Sequence, residues 1–216
     1  MDVTKAITMK GGILTSAILS GDKDIENRSA AWAPGWYALH TGVGKPDIRL
    51  NERVMNMCDS DDRWGVIKEN LKRCPDGHIA GLFRIAHALP PESCQTSKWC
   101  SGPVCLIVAE TLFLEKPIAA KGALGTWDLG EGKVAIIKEQ VPRCEIRAMG
   151  HEAIYPRDDA ALERAREAKR QAKVKRARDE LGDGRGEIKI GKGAAALIGQ
   201  FLVGQAAVAK AAAAEA

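Results

Sequence analysis

Aromatic residues are scarce in this chain: they make up 5% of its 216 residues, with two tyrosines and three phenylalanines. Five tryptophans, at 32, 36, 64, 99 and 127, complete the set, and all lie before residue 130. A packed domain ending near that point is therefore expected. Other features are missing as well. No run approaches the ~20 consecutive apolar residues that a membrane-spanning helix requires, so no membrane partner is expected. The six cysteines, at 58, 74, 94, 100, 105 and 144, form no C-x-x-C pair. The C-x5-C-x4-C spacing at 94, 100 and 105 is not a zinc-ligand pattern. The first residues, MDVTKAITMK, lack the basic start and long apolar stretch of a secretory leader. The expectation is reduced thiols in an intracellular protein, cytoplasmic or nuclear, with no cofactor and no metal. A metal held by some of Cys94, Cys100, Cys105, His78 and His87 is the minor alternative. No internal repeat recurs at any fixed period.

What is present fits a soluble globular chain, with 45% hydrophobic and 28% charged residues. The length suits one domain plus an extension, or two small domains. The net charge of +4 is modest, but its distribution is not. Between Glu163 and Arg178 eight Lys/Arg accompany two Glu, so this piece carries +6 and leaves −2 for the remainder.

Local patterns suggest the elements. Ile13 to Leu19 (ILTSAIL) suits one or two helical turns ending at Gly21. Pro34-Gly35 marks a turn, and Trp36 to Thr41 (WYALHT) has the composition of a strand. Residues 46 to 73 place Val54, Met57, Cys58, Val66, Ile67 and Leu71 at roughly helical spacing, interrupted at Asp59 to Asp62. His78 to Leu89 reads as a strand and Val104 to Leu114 (VCLIVAETLFL) as a central one. Lys121 to Leu129 is punctuated by glycine. Lys133 to Val141 (KVAIIKEQV) reads as a last strand. Beyond it, Asp158 to Leu181 is rich in Ala, Arg, Lys and Glu and suits an exposed helix. A glycine-rich linker and an alanine-rich tail, helical or unstructured, follow from Gly182.

One stretch raises a functional question. SGDKDIENRSA crowds Asp22, Lys23, Glu26 and Arg28 between an apolar run and a tryptophan-rich one. Such a cluster suits a solvated turn, or the mouth of a pocket.

The order of motifs answers in favour of the second. G-x-K-x-x-E-x-R at Gly21, Lys23, Glu26 and Arg28 precedes a PGWYALHTG strand. L-x-x-P at Leu114 to Pro117 and G-x-L-G-x-W at Gly122, Leu124, Gly125 and Trp127 come later. Over roughly residues 6 to 141 the chain resembles the ASCH family, the domain homologous to part of the activating signal cointegrator. The resemblance implies an α+β, PUA-like fold: a small bent β-barrel with flanking helices, spanning 5–147. Residues 148–216 would form a basic, alanine-rich helical extension and tail. It also implies a cleft lined by Lys23, Glu26 and Arg28 that binds RNA or a nucleotide. Many members carry an aromatic residue just before the first helix, where this chain reads TMKGGIL.

The side chains suit that role. Lys23 and Arg28 offer cations for phosphate, Arg as a fork. Glu26 can accept from an amino group on a base edge. Trp36, Tyr37 or Trp127 can stack on an unpaired base, a contact worth about 1–3 kcal/mol. His40 closes its strand, and Lys45 follows closely enough to reach a phosphate. Plainer readings stand beside these. Glu26 and Arg28 equally suit an ion pair that holds the first helix to the barrel. Trp127 suits a core plug, and His40 a satisfied hydrogen-bonding residue.

Two enzymatic alternatives follow by family analogy. One is a metal-independent ribonuclease, with Tyr37 or His40 as base and Lys23 and Lys45 as cations. The other is a modified-nucleoside hydrolase, for which Glu26 stands three residues after Lys23 where a threonine nucleophile is needed. A non-catalytic alternative is an interaction or coactivator-type subunit of a protein or ribonucleoprotein assembly, joined through residues 158–216. In that setting the basic helix would attract single-stranded RNA without sequence preference.

Overall fold

The computed structural model describes residues 1–44 and 47–182. It is an α+β structure in which a curled mixed sheet forms a half-barrel, accompanied by six α-helices among the described residues. The predicted linker beyond Gly182 and the alanine-rich tail lie outside the described residues, as does Lys45.

The chain starts with β1 (Lys5–Met9), turns through two glycines, and enters α1 (Gly12–Leu19). Next come β2 (Ile25–Arg28) and β3 (Gly35–Thr41). A helical pair follows, α2 (Ile48–Met57) and α3 (Asp61–Asn70). The two long strands β4 (His78–Leu89) and β5 (Val104–Ala119) dominate the sheet. The short strand β6 (Thr126–Asp128), α4 (Glu131–Gln140), β7 (Arg147–Ala148) and α5 (His151–Ile154) lead to α6 (Asp159–Gly182). The strand order is β2-β5-β4-β3-β1-β6, with β7 added against β5. β1 and β3 run parallel, which requires a crossover, and α1 is the helix in that crossover.

The curl comes from irregular pairing. The β4–β5 register shifts three times, between Ile79 and Gly81, Arg84 and Ile85, and Ile85 and Ala88. Such bulges bend strands and increase their twist. A further shift in the β3–β4 register falls between Leu39 and His40.

α1 packs against β4 and β5 on one side and α2 and α3 on the other. Nearly its whole surface is buried, from Ile13 through Leu19, with only Leu14 partly covered. A helix enclosed all round must still pair its polar groups. Ser16 Oγ donates to Ile67 O at 2.7 Å, and Thr111 Oγ1 donates to Leu19 O at 3.1 Å. Gly81 makes the close approach possible. A Cβ there would lie 2.2 Å from Leu112 O and 2.8 Å from both Leu19 methyls.

The C-terminal half differs from the sequence expectation in three places. The expected strand over 133–141 is the helix α4. Val134, Ile137 and Val141 fall on one helical face and pack on the sheet with Val3 and Leu129, while Ile136 is exposed. A four-residue apolar run does not separate strand from helix, and the tertiary contacts choose the 3.6-residue period. β5 runs on past 114, through Pro117, to Ala119. The Gln140 side chain helps it do so, accepting from Lys116 N at 2.9 Å and donating to Lys116 O at 3.1 Å.

The third difference concerns the end of the compact unit, which extends to Glu163, past the boundary at 147. A strap beyond residue 147 packs along β5: Met149 N donates to Ala109 O at 2.8 Å, and His151 Nδ1 hydrogen-bonds Val108 O at 2.9 Å. Tyr155 is buried, and its hydroxyl donates to Asp24 Oδ2 at 2.9 Å. The second unit begins at Arg164. Its described part is the rest of α6, mostly exposed, with Arg170 3.5 Å from Glu167 one turn away. Among the described residues, no helix is long and apolar enough to cross a membrane.

Substituting Gly81→Ala should cost about 1–3 kcal/mol or more of stability, since the added methyl meets backbone as well as flexible side chains. A urea unfolding curve for the variant, with its midpoint lowered and its slope unchanged, checks this.

Candidate functional site

The charged stretch of the sequence is built by the end of α1. Gly21 adopts φ +79°, and Gly21 N donates to Ile18 O at 3.0 Å while Asp22 N donates to Ala17 O at 3.0 Å. This paired 5→2 and 6→1 arrangement is a Schellman cap, which needs a left-handed residue where glycine stands. It reverses the chain and delivers Lys23 to the start of β2. β2 then pairs antiparallel with β5, with Glu26 opposite Leu106 and Arg28 opposite Val104. Side chains two apart on a strand share a face, so Glu26 and Arg28 project together.

The three ionic side chains converge. Glu26 Oε2 lies 2.7 Å from Lys23 Nζ, and Glu26 Oε1 lies 2.9 Å from Arg28 Nη2. Lys23 also donates to Ile25 O and sits 5.6 Å above the Trp99 ring. Arg28 lies 4.8 Å from the Trp32 ring centre. Lys23 and Glu26 are 5% and 7% exposed at the side chain, against 22% for Arg28. One carboxylate thus neutralises a buried ammonium and a half-buried guanidinium. The ion-pair reading of Glu26 and Arg28 holds geometrically, and Lys23 belongs to the same network. On the other face of β2, Asn27 Oδ1 accepts from Ser101 N at 2.9 Å and Gly102 N at 2.8 Å, pinning the loop before β5.

Beside this network lies a cavity of about 920 Å³. Its wall includes the β1–α1 turn, the segment after β3, the stretch around Leu71 and Cys74, and the turn of residues 120–125. Arg28 and His40 line it; Lys23, Glu26, Trp36, Tyr37 and Trp127 do not. Trp36 packs partly buried in the cluster that also holds Ile79 and Leu82. Tyr37 is a core residue that donates to Ala33 O at 2.8 Å and lies between Trp32 and Phe83. Trp127 acts as a partial plug, donating from Nε1 to Thr8 Oγ1 at 3.1 Å.

His40 is the most unusual side chain of the wall. It is 1% exposed and touches Trp127 edge-on at 5.7 Å. Its Nε2 lies 3.0 Å from Ala120 O, which can only accept, so Nε2 carries the proton. Nδ1 is then a buried acceptor, and it has no partner. Burial pushes the pKa below the ordinary histidine range, so the ring is neutral at pH 7. Gly122 covers this edge, and a Cβ there would lie 2.6 Å from both Nδ1 and Thr8 Oγ1. The glycine of the G-x-L-G-x-W motif is therefore a contact requirement, and it leaves Leu124 fully exposed at the rim.

Two cations of the wall escaped the sequence reading. Lys10 lines the cavity and pairs with Asp47 at 2.8 Å, and Lys121 lines it with no ion pair among the described residues. Asp47 and Asp76 are the carboxylates of the wall. The signal for both lysines was a Lys-Gly pair at a turn, in MKGG and in AKGA, where a flexible backbone presents a charge. Trp32, which stacks on Arg28, carried no signal beyond its position four residues later.

All six cysteines are free thiols. Cys100 Sγ and Cys105 Sγ are 3.6 Å apart, and burial pushes the Cys100 thiol up to about 11. Among the described residues, no group of three or more His, Cys, Asp or Glu side chains gathers to hold a metal ion. No protein-family model matches this chain, and no curated protein matches it.

Replacing Glu26 with Gln or Ala leaves Lys23 buried without a counter-charge and should cost about 3–5 kcal/mol, which chemical unfolding of the variant will read. For His40, the folded pKa lies below the unfolded value, so the unfolded chain binds the proton first as pH falls. Its contribution to stability is present above pH ~6.5 and is lost as pH drops toward the lowered folded value. Imidazole NMR titration should show the depressed midpoint, and His40→Gln should flatten that part of the stability profile.

Proposed function

We propose that this chain is an RNA- or nucleotide-binding protein of the ASCH type, a PUA-like barrel whose ligand occupies the cleft beside Arg28 and His40. The observation that carries the reading is the arrangement of Arg28. Its guanidinium is held by Glu26 on one side and Trp32 on another, yet it still faces a cavity large enough for a nucleotide. An arginine fixed in this way loses little side-chain entropy when it meets a phosphate or a base edge. Lys121 and Lys10 add positive charge at the rim, and exposed Leu124 and Val43 offer apolar surface to a base.

Lys23 and Glu26 serve as the support of Arg28 in this reading. They are bound to each other and lie off the cleft wall. A nucleophilic or acid–base step at these two residues would need them to reach the ligand, and neither lines the cavity, so binding fits the geometry better than hydrolysis by this pair does. Part of α6 lies in the second unit, and its lysines and arginines suit added, sequence-independent attraction to phosphates. Single-stranded RNA is the partner these features favour.

Fluorescence anisotropy with a labelled single-stranded RNA tests the reading. Arg28→Ala should weaken binding at least tenfold and lower the dependence of log K on log salt by about one phosphate contact, with Arg28→Lys intermediate. Equal affinities for wild type and Arg28→Ala, both folded by circular dichroism, would remove the cleft from the account.

A further inference from the structure

Three cysteines gather beside the β2–β5 pair, and none of them lines the cleft. Cys94 and Cys105 are fully buried, while Cys100 is only partly covered. Cys100 Sγ lies 3.6 Å from Cys105 Sγ, and its other polar contact, Pro91 O, is also 3.6 Å away. The Cys94 thiol hydrogen-bonds Cys105 as well.

One side chain sets the proximity of Cys100 and Cys105. Asn27 Nδ2 donates to Trp99 O at 2.7 Å, and Asn27 Oδ1 accepts from Ser101 N at 2.9 Å. The peptide groups on both sides of Cys100 are therefore held by Asn27. Cys105 is the cross-strand partner of the same residue. Gly102 completes the fit, since a Cβ there would lie 2.6 Å from Asn27 Cβ. Two thiols fixed by a common anchor have already lost much of the chain entropy that joining them costs.

A disulfide holds its sulfurs about 2.05 Å apart, so these two must approach by roughly 1.5 Å. That movement gives up the long contact to Pro91 O. Access decides which thiol reacts first. Cys94 and Cys105 are sealed, so a molecule arriving from solvent meets Cys100.

We propose that Cys100 and Cys105 form a thiol–disulfide exchange site whose substrate is a small disulfide of the glutathione type. The Cys100 thiolate attacks one sulfur of that disulfide, which forms a mixed disulfide and expels one small thiolate. The Cys105 thiolate then attacks the Cys100 sulfur and expels the second. The two protons lost by the cysteines pass to the two leaving thiolates. Two protein thiols are oxidised to one disulfide, and the small disulfide is reduced to two thiols. Burial, with the hydrogen bond to Cys105, pushes the Cys100 thiol up to about 11. Thiolate is then scarce at neutral pH and exchange is slow, so the pair follows a sustained redox poise and not a brief pulse of oxidant.

The test incubates the full chain at pH 8.5 in a series of reduced and oxidised glutathione mixtures. Samples are quenched with acid, alkylated with N-ethylmaleimide in denaturant and digested with trypsin. Residues 99–121 form one tryptic peptide with both Cys100 and Cys105, because Pro117 protects Lys116, and Cys94 lies in the peptide 85–98. On oxidation the 99–121 peptide should lose two hydrogens and take no maleimide, while 85–98 takes one. Cys105→Ser should stop at a glutathione adduct on Cys100, and Cys100→Ser should leave Cys94 and Cys105 reduced. The native chain should be half oxidised at a glutathione ratio at least tenfold more reducing than the same chain in guanidinium chloride needs, and Asn27→Ala should remove most of that advantage. Equal ratios for the native and unfolded wild-type chain overturn the site. So does a glutathione adduct on wild-type Cys100 with Cys105 still alkylated, a cross-link between 85–98 and 99–121, or full alkylation in oxidised glutathione alone.

Discussion

One carboxylate organises this molecule. Glu26 holds Lys23 on one oxygen and Arg28 on the other, and both it and Lys23 are nearly sealed from water. Two cations so close would repel in a low-dielectric setting, and an ammonium buried alone would be costly. Glu26 removes both problems at once. The result fixes the direction of β2, the aim of Arg28 and the position of the turn that leaves α1. Trp99 and Trp32 close over the two cations and complete the shielding.

The half-barrel exists to bury α1. Bulges in β4 and β5 curl the sheet, Gly81 lets the helix approach, and Ser16 and Thr111 pair the polar groups that would otherwise be stranded. The same enclosure explains the site. A helix buried along its length presents only its two ends. Its C-terminal cap launches the ionic network, and its N-terminus opens on the cleft. The strap of residues 147–162 locks the arrangement from behind: the Met149 side chain fills the space where a Cβ of Gly21 would stand.

The glycines of the two sequence motifs have separate physical duties. Gly21 supplies a left-handed backbone for the cap. Gly122 supplies the absence of a side chain against the His40 ring. Neither carries a side chain, yet both decide where charged and hydrogen-bonding groups stand. The motif residues therefore divide by depth, with Lys23 and Glu26 as support and half-buried Arg28 as the outer end of the network.

Much of the framework was legible in the residues themselves. β3, β4, most of β5 and α1 followed from apolar runs bounded by glycine and proline, because those signals act over a few neighbouring residues. The crowding of Lys23, Glu26 and Arg28 was equally visible, since a charged cluster between two apolar segments must either face water or pair. The sequence by itself determined that local content. It did not determine α4, whose short apolar run takes helical form only because Val134, Ile137 and Val141 find the outer face of the sheet. Nor did it determine that Tyr37 belongs to the core, that Lys121 and His40 meet across one cavity, or that Lys23 lies beneath its wall. Those outcomes depend on contacts between residues tens of positions apart, set by strand register and helix packing, and only the folded chain brings such residues together.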